Sequence, residues 1–294
     1  PLLLIVAVNL TLRNSRSGRV DWKGALIVSL SAFAAGKLSG ILAAKSISYV
    51  LQHPDRLVSM LLDDLWAPLL VFSLYAAIEP MVRRAWPQTL VSWTRTLSGN
   101  FTDPLVGRDL LIGCVLGGTL VTASLFNPWF TNKLSSGPSL ETLMGTRHTL
   151  GDLLRSAVGA LFLSLAYLLV LLVIRLLVKR NWLAIVSFML LAVLLALVAV
   201  ISTTDTKVPQ TLAAGIVFAI AFATFVLTAL TRFGLLATVT SAMVLFSMQR
   251  IPVSLDTSVW YWEHTSLTVM LAIVALSGFG VFTSYRGWVS AQQQ

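Results

Sequence analysis

Apolar stretches of membrane-spanning length follow one another along this chain, and nearly all the Lys and Arg residues fall in the gaps between them. A helical span needs about 20 mostly apolar residues. Stretches of that kind lie at roughly 24–48, 57–81, 109–130, 153–178, 181–203, 209–231, 233–250 and 265–285. The first is interrupted by Lys37 and Lys45, and the seventh is short. An open sheet cannot satisfy its backbone in lipid, and no ten-residue alternation suggests a barrel. The expected fold class is all-α, a polytopic helical membrane protein of about eight full transmembrane helices. The apolar run Pro1–Leu12 is too short to span alone and reads as the end of a helix that begins upstream, in a longer protein.

The same pattern divides the chain. Residues 1–12 end a truncated membrane helix, 13–82 form a two-helix membrane hairpin, and 83–108 form a cytoplasmic interfacial segment. Residues 109–285 form a six-helix membrane bundle, and 286–294 a cytoplasmic tail.

Charge sets the expected orientation. One set of gaps carries Arg13, Arg16, Arg19, Lys23, Arg83, Arg84, Arg95, Arg108, Arg175, Lys179, Arg180, Arg232 and Arg286. The opposite set carries Arg56, Lys133, Arg147, Arg155, Lys207 and Arg250. The first, richer set is cytoplasmic by the positive-inside rule, which also places the C-terminus in the cytoplasm. Trp22, Trp86, Trp93, Trp182 and Trp288 flank the expected inner ends, while Trp129, Trp260, Tyr261 and Trp262 flank the outer ones, as interfacial anchors do.

Composition agrees. Hydrophobic residues make up 56% of the chain, charged residues only 11%, and the mean hydropathy is +0.84. The net charge of +9 is therefore read as attraction to an anionic membrane surface, and no nucleic-acid partner is expected. The expected location is a bacterial inner membrane, with the lipid bilayer as the first partner. A single cysteine, Cys114, excludes an internal disulfide and suits a small buried helix residue.

Candidate chemistry is sparse. Charges inside a membrane are costly and are functional candidates by default. Lys37, Lys45, Asp63 and Asp64 fall in neighbouring antiparallel spans and are expected to form an intramembrane charge pair. The second candidate is the inner segment containing Glu79, Arg83, Arg84, Trp86, Trp93, Arg95, Arg108 and Asp109. There Pro87 suits a helix first turn, and Leu90, Trp93, Thr94 and Leu97 recur on one helical face. A helix lying in the interface, with Arg95 reaching headgroups, satisfies this pattern; so does a surface that couples the spans to a cytoplasmic domain. Glu79 and Arg83 are spaced to pair. Gly36-x-x-x-Gly40 and Gly113-x-x-x-Gly117-Gly118 permit close helix approach. His53, His148 and His264, all on the expected outer side, share no ligand spacing. No Gly-rich phosphate loop, HExxH, CxxC or Ser–His–Asp arrangement occurs, so no catalytic residue, metal site or cofactor is expected.

Several stretches resemble the C-terminal membrane region of large bacterial serine/threonine protein kinases. These are EPMVRRAWPQTLVSWTR from Glu79, DPLVGRDLLIG from Asp103, the basic run Asn14–Arg19, LMGTRHTL from Leu143 and FTSYRGW from Phe282. The resemblance spans roughly residues 13–288 and implies a kinase domain upstream of Pro1. It transfers no catalytic or binding residue. The kinase phosphate loop, small-lobe Lys and metal-binding Asp are missing, and Gly107-Arg108-Asp109 opens a span without the catalytic-loop Asn downstream. The leading expectation is thus a non-catalytic sensory or anchoring module of a kinase-type signalling protein. The alternatives are a transporter or channel using Lys37, Asp63 and Asp64, and a structural subunit of a larger membrane complex. The expected protein partners are the upstream kinase domain or other membrane subunits.

Overall fold

The computed structural model describes residues 7–12, 20–44, 65–125, 140–178, 180–203, 209–254 and 256–292. Helices account for nearly all of these residues, and no strand occurs among them. The main helices are α1 (Trp22–Ala43), α2 (Trp66–Ala85), α3 (Val91–Leu97), α4 (Pro104–Leu125), α5 (Thr146–Val178), α6 (Asn181–Thr203), α7 (Pro209–Thr228), α8 (Leu235–Arg250) and α9 (Leu267–Gln292). Short 3-10 turns at Pro87–Leu90 and Leu140–Met144 and π turns at Ala229–Phe233 and Trp262–Ser266 join them.

Five helices among the described residues are long and apolar enough to cross a membrane: Trp22–Ala43, Pro104–Ser124, Thr146–Val178, Ile216–Phe233 and Trp262–Arg286. The described residues do not support the expected count of eight. The helix expected at 57–81 is described only as α2, which carries Glu79, Pro80, Arg83 and Arg84 in its final turns. α8 has only 16 residues. The chain is nonetheless a membrane protein by the length and apolarity of those five helices.

Local chemistry sets the boundaries. Asp21 caps α1 by accepting from the Gly24 N–H at 2.9 Å. At Trp86 α2 stops, because a residue before proline is disfavoured in the helical region, and Pro87 then opens the 3-10 turn. Gly99, at φ +84°, closes α3. Asp103 opens α4 by accepting from the Leu105 N–H at 2.9 Å. This cap moves the helix start to Pro104, so Arg108 and Asp109 lie within the first turns of α4 and not in a loop ahead of it.

α5 is the hub. At 33 residues it is about 50 Å long, and it packs against α1, α2, α6 and α8. Two close approaches hold its neighbours. The Ser39 hydroxyl donates to the Gly151 carbonyl at 2.7 Å, which sets α1 antiparallel to α5. Arg147 donates to the Ala44 carbonyl at 2.7 Å and so caps the far end of α1. On α4, Gly113 and Gly117 meet the α8 backbone at Ala237 and Ser241, while Gly107 meets α9 at Gly280 and Thr283. Small residues give membrane helices this proximity. Gly118 and Gly36 face open space and contribute none.

Candidate functional site

Lys37 and the inner segment lie toward opposite ends of the bundle. Of the intramembrane set, only Lys37 is among the described residues; Lys45, Asp63 and Asp64 lie outside them. Lys37 is 8% exposed, and its ammonium sits 5.5 Å from the Phe33 ring centre. It lines a cavity of about 450 Å³ between α1, α2 and α5. Two further cations, Arg155 of α5 and Arg250 at the end of α8, line the same cavity. The sequence did not group these three, since they come from helices far apart along the chain. Apolar walls come from Ala32, Phe33, Val71, Val158 and Phe162, with Trp66 and Phe162 exposed on the bundle surface.

At the other end, the inner segment is built into the bundle. Glu79 is buried near the end of α2 and pairs with the exposed Arg83 one turn on, at 2.6 Å. The 3-10 turn and α3 then fold back against α1, α4, α8 and the π turn after α7. Thr89, Leu90, Ser92 and Trp93 are all buried, Trp93 to 8% exposure. Trp93 is therefore a helix-packing residue, not an interfacial anchor. Its indole N–H faces the buried Tyr75 hydroxyl without reaching hydrogen-bond geometry. The Thr89 carbonyl approaches Gly234 so closely that a Cβ there would lie 2.7 Å from it; Gly234 also has φ +96°, so the site suits only glycine.

Charges of the segment pair among themselves. Arg95, expected to reach headgroups, forms an ion pair with Asp103 and so links the end of α3 to the cap of α4. Arg108 donates from Nε and Nη2 to the buried Asp109 carboxylate at 3.0 and 2.9 Å. The Trp86 ring carries the Arg175 guanidinium at 4.3 Å. Arg84 is exposed.

The two histidines among the described residues differ in their surroundings. His148 is buried, His264 is exposed, and His53 lies outside the described residues. Among the described residues no group of three or more His, Cys, Asp or Glu side chains is placed to hold a metal ion. Instead, the Thr142 carbonyl accepts from Thr149 and Thr265, both at 3.2 Å, and ties the starts of α5 and α9 together.

Fold and site together define a polytopic helical membrane protein with a buried junction at one end and a cationic cavity toward the other. No family model, no curated protein and no solved structure matches the chain.

Proposed function

We propose that this chain is a non-catalytic sensory or anchoring module in a bacterial inner membrane, and that its segment Arg83–Arg108 couples the bundle to a cytoplasmic kinase domain of the same polypeptide. In this reading the basic end and the C-terminus face the cytoplasm. The observation that supports coupling is the burial of Thr89, Leu90, Ser92 and Trp93 among α1, α8 and the turn after α7. A force or charge arriving at Arg83, Arg84 or Arg95 then acts on packed helices, not on a free loop. Signalling follows if a stimulus biases two packings of that junction.

The test uses the whole gene product in nanodiscs. Trp93→Ala and Trp86→Ala should change phosphorylation by its cytoplasmic part while helix content is retained. Unchanged phosphorylation in both variants, or a product with no kinase domain, counts against the reading.

A second reading, an anion transporter or channel, draws support from the cavity that holds Lys37. Lys37→Gln should then abolish flux in proteoliposomes, and a pure signalling module would show no flux to abolish.

A further inference from the structure

Three cations from three helices converge on one cavity. Lys37 stands about two turns before the end of α1, ~10 Å along its axis, a distance its long side chain can partly bridge toward that end. Arg155 and Arg250 are exposed, and Arg guanidinium groups match phosphate oxygens with paired N–H donors. Among the described residues, Asp152, buried one turn before Arg155, offsets part of this charge. The cavity volume, about 450 Å³, falls in the range of about 300–1,000 Å³ typical of small-ligand sites.

The walls say what kind of anion fits. Below the cations they are apolar, from Ala32, Phe33, Val71 and Val158. The rim includes Trp66, 61% exposed, and the exposed Phe162, while Leu38 and Leu69 on the same helices are exposed as well. In a membrane protein such surfaces face lipid. The cavity thus reaches the bilayer-facing surface, with charge placed for a headgroup and apolar walls for the chains beneath it.

We propose that this cavity binds an anionic phospholipid, its phosphate held by Lys37, Arg155 and Arg250 and its acyl chains lying along Phe33, Phe162 and Trp66. The inference rests on the membrane assignment and is independent of the signalling reading.

Native mass spectrometry of the full chain in neutral detergent tests it, with phosphatidylglycerol and phosphatidylcholine of identical chains as probes. Phosphatidylglycerol should be retained at least tenfold better. Arg155→Gln/Arg250→Gln, which removes only exposed side chains, should cut that preference about tenfold, ~1.4 kcal/mol for the two charges together. Arg84→Gln/Arg232→Gln, an equal loss of exposed charge at the other end, should leave it unchanged. Equal retention of the two lipids, or an equal loss in both double variants, overturns the proposal. Displacement of phosphatidylglycerol by millimolar inorganic phosphate overturns it too, since the site would then belong to a free anion.

Discussion

The Arg175 guanidinium lies 4.3 Å from the centre of the Trp86 ring and joins the end of the longest helix, α5, to the point where α2 turns into the inner segment. One Arg175 nitrogen is buried without a hydrogen-bond partner among the described residues, so the ring face is a main compensation for its charge. A double-mutant cycle on Trp86→Leu and Arg175→Gln should give a coupling of about 0.5–2 kcal/mol in thermal or denaturant unfolding. Additive effects of the two substitutions would show that the contact contributes nothing.

The two neighbouring glycines of α4 should behave in opposite ways. A Cβ on Gly117 would lie 2.6 Å from the Val244 Cβ and 2.9 Å from the Ser241 carbonyl. Gly117→Ala should therefore force α4 and α8 apart and cost about 1–3 kcal/mol. Gly118 has nothing within 4 Å, so Gly118→Ala should be neutral or stabilise by up to about 1 kcal/mol through helix propensity. Unfolding midpoints of the two variants in the same detergent settle the comparison.

Gly234→Ala should be worse than either. Its backbone, at φ +96°, is one that L side chains rarely adopt, and the new Cβ would meet the Thr89 carbonyl. A loss of about 1–3 kcal/mol is expected from the backbone alone. Thr89 should also become more exposed, which hydrogen exchange across Trp86–Trp93 would report.

Much of this was legible in sequence, for physical reasons. Spans are legible because lipid tolerates few charges, so the spacing of Lys and Arg marks the helices. Pro87 and the close-packing role of Gly113 and Gly117 followed from backbone rules. Trp93 was misread because periodicity places Leu90, Trp93 and Leu97 on one face without saying what that face meets. In a membrane both lipid and other helices are apolar, so the pattern cannot separate anchoring from packing. The start of α4 was placed too late because Arg108 and Asp109 look like loop residues. They neutralise each other inside the helix, and Asp103 supplies the cap. The cavity was invisible because Lys37, Arg155 and Arg250 are brought together only by the tertiary packing of α1, α5 and α8.

The loop before α9 carries a pH-dependent contact. The exposed Asp256 carboxylate accepts from the Ser258 N–H at 2.9 Å and its hydroxyl at 2.7 Å, which holds its pKa below the usual 3.8. A depressed carboxylate contributes stability that is present above its unfolded pKa and lost as pH falls through the folded one. The turn should therefore loosen only in acid below that value. Ser258→Ala should return the Asp256 titration, followed by carboxyl NMR, toward the ordinary value.

The central claim, that the inner segment is packed into the bundle, is tested most directly by cysteine accessibility. With Cys114 replaced by Ser, single cysteines are placed at Gln88, which is exposed, and at Trp93, which is buried. Membrane vesicles of both orientations are treated with a membrane-impermeant maleimide. The account predicts rapid labelling of Gln88→Cys from the cytoplasmic side only and little labelling of Trp93→Cys from either side. Equal labelling of both positions would contradict it and make the segment a surface-lying helix.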